Sequence, residues 1–167
     1  MKILVSTTEN IASFYDQIDT TDMNLRGKKY GRWKAYSQSK LANVIHARQL
    51  AQRHKDEGII AVSVHPGVVK TELYKGRFVS SLTRKTLHFT VHLLLLLHER
   101  DSRPFMKNEW EGAQTTVYAV LAPDLENGGY YADCAPASIN RQAQDDSICA
   151  KVWEMSCKTV GLDSPDN

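Results

Sequence analysis

The chain has 167 residues, 42% of them hydrophobic and 24% charged, a balance that fits one globular domain and excludes disordered and collagen-like chains. Lys and Arg number 21 against 19 Asp and Glu, a formal charge of +2 that is too small to argue for a nucleic-acid partner. The three cysteines, Cys134, Cys149 and Cys157, form an odd set without C-x-x-C spacing, which suits a reducing compartment better than a disulfide scaffold.

Lys2 to Ser6 holds the short apolar run Ile3-Leu4-Val5, too brief for a signal-peptide core and expected as a buried strand. A polar stretch without a clear period follows, from Thr7 to about Trp33. From about Lys34 to His54 the pattern turns helical. Leu41, Val44 and Ile45 recur at three- and four-residue spacing, while Arg48, Gln52 and Lys55 supply polar cover. Asp56-Glu57-Gly58 ends that helix, with Gly suited to the left-handed position just past it. Ile59 to His65 is a β-branched run of strand length, stopped by Pro66-Gly67. Strand, helix and strand in this order predict a βαβ unit with parallel strands.

A second helix is expected over about Ser81 to His98. Its apolar run, Leu93 to Leu97, extends back to Leu87 if His88, Thr90 and His92 are tolerated. Eleven helical residues rise about 16 Å, roughly half of the ~30 Å hydrocarbon core, so the run cannot span a bilayer. Lys70, Lys75, Arg77, Arg84 and Lys85 precede it, and Arg100 and Arg103 follow. Two readings stand: a helix buried against the fold, and an interfacial membrane contact. A third helix is expected from about Asn108 to Leu121, and a short strand at Gly128-Gly129-Tyr130-Tyr131. A closing helix from about Ser147 to Val160 is stopped by Gly161. Trp110 and Trp153 are expected as core anchors of their helices, and Cys134 and Cys157 as buried small hydrophobes. The class is α/β, a mostly parallel sheet with flanking helices.

The residues that carry chemistry are Tyr36 and Lys40. Four apart in a helix, they project from one face. A phenol near pKa ~10 is a poor acid or base at neutral pH. A nearby ammonium stabilises the phenolate and makes proton exchange with a carbonyl or alcohol oxygen feasible. The same spacing recurs at Tyr30 and Lys34, but in a Gly- and Lys-rich approach (Gly27-Lys28-Lys29-Tyr30-Gly31) that reads as a solvated loop. Tyr36 instead opens an amphipathic helix as Tyr36-Ser37-Gln38-Ser39-Lys40-Leu41-Ala42-Asn43, and that helix leads into the strand ending His65-Pro66-Gly67-Val68-Val69-Lys70-Thr71.

With these two segments the chain resembles the short-chain dehydrogenase/reductase family, and within it the retinol-dehydrogenase-like branch. Gly129-Tyr130-Tyr131-Ala132-Asp133-Cys134 and Trp153-Glu154-Met155-Ser156-Cys157 resemble that branch as well. The resemblance implies a Rossmann-like doubly wound fold and a hydride exchange between a nicotinamide cofactor and a lipophilic alcohol or carbonyl, such as a retinoid, sterol or isoprenoid. It makes Tyr36 the acid/base and Lys40 its partner, which also bonds the nicotinamide ribose. Pro66, Gly67, Val69 and Thr71 match the stretch that holds the nicotinamide end of the cofactor, and about Leu73 to Arg103 the substrate-binding lid. The family's catalytic serine follows the first strand of this chain, where Val5-Ser6-Thr7 stands. Thr7 holds that position by register and keeps a hydroxyl donor; Ser6 is the alternative.

His88 and His92 are four apart, but no Glu follows His88 and no further ligands are apparent, so no metal is expected. The Gly-rich first βα turn that a dinucleotide fold needs is not in this sequence, nor is the residue that selects NAD or NADP, nor the family's asparagine. The resemblance therefore assigns residues 1–167 to the C-terminal catalytic and substrate-binding portion of one such domain, an incomplete Rossmann-like sheet with an incomplete cofactor site. The strand at Lys2 to Ser6 is then expected as an open apolar edge. NADP(H) is favoured over NAD(H) by the branch. A cytoplasmic location follows, with contact at the endoplasmic reticulum surface through Leu87 to Leu97 and a homodimer as further expectations. Two other readings remain: a non-catalytic interaction or dimerisation module, and a membrane-surface module.

Overall fold

The computed structural model describes residues 2–7 (as backbone), 17–27, 30–69 and 107–162. β1 spans Lys2–Thr7, α1 Arg32–Arg53, β2 Ile59–His65, α2 Glu109–Leu121, β3 Tyr130–Ala132, β4 Ala135–Pro136 and α3 Asp146–Val160. The sheet runs β1-β2-β3-β4. β1 and β2 are parallel, from Lys2 opposite Ile59 to Thr7 opposite Val64, with α1 as the crossover. β2 and β3 are also parallel, with Ser63 opposite Tyr130 and His65 opposite Ala132. The sequence thus forms the α/β architecture expected of it, with β1 at one end of the described sheet.

β2 is buried at Ala61, Val62, Ser63 and Val64, as a parallel strand covered on both faces should be. One cover joins Leu41, Val44 and Ile45 of α1 with Tyr130, Cys149 and Val152. The other joins Val62 and Val64 with Ala119 of α2 and Tyr131. Successive residues of β2 and β3 point to opposite faces, so the sheet carries α1 and α3 on one side and α2 on the other. Cys149 lies in the first layer, where burial pushes its thiol above the ordinary value and the thiol donates to Ala143 O at 3.4 Å. Cys157 is buried as expected.

The helix ends follow local chemistry. A 3-10 turn at Lys55–Glu57 leads from α1 to Gly58 at φ +70°. α2 starts with a capping box, in which the Asn108 side chain accepts from Glu111 N at 2.8 Å and Asn108 N donates to Glu111 at 2.9 Å. At the start of α3 the Asp145 carboxylate accepts from the Ser147 hydroxyl and from the Ser147 and Ile148 amides, which holds it below the usual carboxylate range. Gly161, at φ +73°, closes α3 as Leu162 N donates back to Cys157 O at 2.9 Å.

Two expectations fail. Trp110 is 75% exposed and anchors nothing in the core. The buried stripe of α2 is Gly112, Thr115 and Ala119, and a Cβ at Gly112 would stand 2.5 Å from Val69 Cγ2. Only small residues fit so close an approach, and Trp110 lies on the opposite face of the helix. Cys134 is exposed rather than buried. With Asp133 it forms the two-residue turn of the antiparallel β3–β4 hairpin, at φ +57° and +50°, the paired positive φ values of a type I′ turn. The expected strand at Gly128 begins later, at Tyr130, because Gly128 (φ +86°) and Gly129 turn the chain into it. The helix expected over Ser81 to His98, with its Leu87 to Leu97 run, lies outside the described residues. No helix among the described residues is long and apolar enough to cross a membrane.

α1 and α3 meet through His46, whose ring centroid lies 4.9 Å from that of Trp153, itself covered by the Arg53 guanidinium at 5.1 Å. Burial pushes the imidazole below the ordinary histidine value of about 6.5. The unfolded chain therefore binds this proton at higher pH than the folded chain does. The His46 contribution is intact above about pH 6.5 and is lost as pH falls through that value toward the lowered one. His46→Gln should flatten the decline of the urea midpoint between about pH 7.5 and about pH 5. A decline identical to that of the wild type contradicts the assignment.

Candidate active site

Tyr36 lies in the second turn of α1, the crossover helix between the parallel strands β1 and β2. Tyr36 and Lys40 are both half-buried. The Lys40 ammonium sits 5.4 Å from the centroid of the Tyr36 ring, within cation–π range. The two side chains are brought together as the four-residue spacing requires. Ser39 Oγ donates to Tyr36 O at 2.7 Å, a bond closed within the same turn.

The chain entering α1 is tied down by amides that no sequence pattern flags. Gln38 accepts from Asp19 N at 3.1 Å and donates to Met23 O at 2.7 Å. Gln142, ahead of α3, accepts from Ile18 N at 2.7 Å. Beside Tyr36, Ser37 is fully buried and its hydroxyl has no hydrogen-bond partner among the described residues. A buried polar group left unpaired is destabilising, so Ser37→Ala should raise unfolding free energy by about 1 kcal/mol in urea. A loss of that size would show that the hydroxyl is paired in solution.

Ser6 lies opposite Ser63 and Thr7 opposite Val64, with Thr7 the last residue of β1. The two positions are the last two register levels of β1, at the carboxyl edge of the sheet. Pro66, Gly67 and Val69 follow β2 at that edge. Gly67 has φ +85°, a conformation that strongly favours glycine. Val68 O accepts from Lys107 N at 2.7 Å, and Val69 forms a parallel bridge with Lys107. Thr71, the Leu73 to Arg103 segment, His88 and His92 lie outside the described residues.

Lys107 and Asp133 form an ion pair between the segment ahead of α2 and the β3–β4 turn. Sequence reasoning did not single out either residue. Their 26-residue separation follows no local period, and only the parallel order of β2 and β3 brings them together. On the far flank of α1 an apolar groove is lined by Met23, Leu25, Ala42, Met155 and Val160. Its hydroxyls at Ser156 and Thr159 bond back to Val152 O and Met155 O at 2.7 Å each, and neither Tyr36 nor Lys40 lines it.

No family model matches the chain. Retinol dehydrogenase 12 of Bos taurus is 36% identical over 142 residues, covering 83% of this chain and 40% of the relative. Retinol dehydrogenase 14 of Mus musculus is 32% identical over 150 residues, or 89% of this chain and 41% of the relative. The chloroplastic short-chain dehydrogenase TIC 32 A of Brassica napus is 34% identical over 157 residues, or 92% and 42%. The chain thus spans about two-fifths of the length of these curated relatives. A solved structure of a Mycobacterium paratuberculosis protein superposes on 98% of this chain and 52% of its own, at a TM-score of 0.65 and 22% identity, which establishes the shared fold. Relatedness of this degree, over four-fifths of the chain or more, makes the chain a member of the short-chain dehydrogenase/reductase family, on its retinol-dehydrogenase-like branch.

Proposed function

We propose that the chain is the catalytic and substrate-facing part of a nicotinamide-dependent oxidoreductase acting on a lipophilic alcohol or carbonyl. Two features support this reading: the Lys40 ammonium lies 5.4 Å from the Tyr36 ring centroid near the start of α1, and the Gly67 turn follows β2 at the carboxyl edge of the sheet. That edge is where open α/β sheets bind ligands. The names of the relatives support the substrate class, and NADP(H) is preferred to NAD(H) by the branch.

The residues present fit one end of such a cofactor. Gly67 at φ +85° lets the backbone after β2 approach a flat ring without a side chain in the way. Pro66, Gly67, Val69 and Thr71 would hold the nicotinamide and Lys40 its ribose. When bound, the cofactor supplies or accepts a hydride at the carbon of the substrate carbonyl. Tyr36 gives the oxygen its proton in reduction and removes it in oxidation. The Lys40 ammonium favours the phenolate form that arises in reduction. Thr7, or Ser6 in its place, holds the substrate oxygen by a hydroxyl hydrogen bond. Leu73 to Arg103 is the segment assigned to the lipophilic substrate, and the same reading includes peripheral membrane contact through Leu87 to Leu97 and a homodimer.

The pyrophosphate end has no counterpart within these 167 residues, since no G-x-G-x-x-G turn is present. Fluorescence titration should accordingly show no tight NADPH binding by this chain alone. Saturable binding at micromolar NADPH contradicts the incomplete site.

A further inference from the structure

The geometry points to Lys107 and Asp133 as positioning residues that strap down the Pro66–Val69 turn and so set the nicotinamide end of the site. The inference rests on the cofactor reading above and adds two residues to it.

The Lys107 backbone and side chain both hold this short turn. Lys107 N donates to Val68 O at 2.7 Å, and Lys107 bridges Val69 in parallel register. The Lys107 stem crosses Gly67, so that a Cβ there would meet its Cδ and Cε at 2.9 Å. The ammonium then reaches the Asp133 carboxylate in the turn that ends β3. Behind the turn, Val69 packs on Gly112 of α2. The segment after β2 is thereby held between the start of α2 and the end of β3, at the carboxyl edge of the sheet. Gly67 has no side chain of its own with which to fix its backbone, and the Lys107 stem takes the place one would fill.

The Asp133 side chain is largely exposed, and exposed ion pairs contribute little to global stability. The strap should act locally, on the turn it crosses. Asn accepts the left-handed φ of Asp133 readily, so Asp133→Asn removes the charge without straining the hairpin. Lys107→Met keeps the stem and removes the ammonium, whereas Lys107→Arg keeps the cation.

The test uses NMR on this 167-residue chain, with reduced nicotinamide mononucleotide titrated to millimolar concentration as the probe. D133N and K107M should speed exchange of the Lys107 amide and weaken the probe's affinity, each by about three- to fivefold. The urea midpoint and the Lys40 amide shift should stay at wild-type values, and K107R should behave as wild type. Probe affinity unchanged in D133N and K107M overturns the positioning role while leaving the cofactor reading intact. A wild-type chain whose Gly67 amide does not respond to the probe overturns the cofactor reading, and the positioning role with it.

Discussion

Replacing Tyr36 by Phe is expected to reduce turnover by about 10²- to 10⁴-fold, the range that a positioned general acid or base contributes. The ring and its contact with the Lys40 ammonium, 5.4 Å from the centroid, survive the change, and the phenolic hydroxyl with its exchangeable proton is lost. Cofactor affinity should therefore stay within about twofold of wild type, because uniform binding is untouched. The measurement requires the chain joined behind the dinucleotide-binding half of a relative such as bovine retinol dehydrogenase 12. Normal turnover by the Phe variant would remove Tyr36 from the role, and a parallel loss of cofactor binding would make it a structural residue instead.

Leu41→Ala is expected to be the most damaging core change next to the site. Leu41 is fully buried in the layer shared by α1, Tyr130 and Val152. Truncation of a buried Leu costs about 2–5 kcal/mol, against a total of roughly 5–15 kcal/mol for a domain. Leu41→Met, close in volume, should cost less than about 1.5 kcal/mol. Urea unfolding of both variants checks this. Equal midpoints for Leu41→Ala and wild type would show that α1 does not pack on the sheet as described. Because Leu41 follows Lys40 directly, the same helix face that stabilises the fold fixes the height of Tyr36 and Lys40 above the strands.

The parts of this fold that were legible in the sequence are those set by short-range periodicity. The Leu41, Val44 and Ile45 spacing marked α1, the β-branched run marked β2, and Gly58 and Gly161 adopt the left-handed conformations expected past their helices. The Tyr36–Lys40 pair belongs to the same class, since one helical turn brings it together. Trp110 and Cys134 were misread because size and hydrophobicity do not reveal which face of a helix meets a close neighbour, nor where a hairpin turns. The Lys107–Asp133 pair and the amide ties from Gln38 and Gln142 join residues distant in sequence. Such contacts exist only once the sheet order is known. Asn127 is a further case. It accepts from Ala61 N at 2.8 Å and donates to Ala51 O and Ile59 O at 3.2 and 3.1 Å, fastening the end of α1 and the start of β2 to the loop before β3. The serine role falls to Thr7 with Ser6 as the alternative, the two occupying adjacent register positions at the end of β1.

The central claim is that this chain supplies the proton-transfer half of a hydride-transfer site. Its most direct test is the joined polypeptide, assayed for NADPH oxidation with a lipophilic aldehyde such as retinal. The account predicts aldehyde-dependent NADPH oxidation by the joined protein and none by the 167-residue chain alone. A joined, folded protein that binds NADPH tightly yet reduces no lipophilic aldehyde would contradict it.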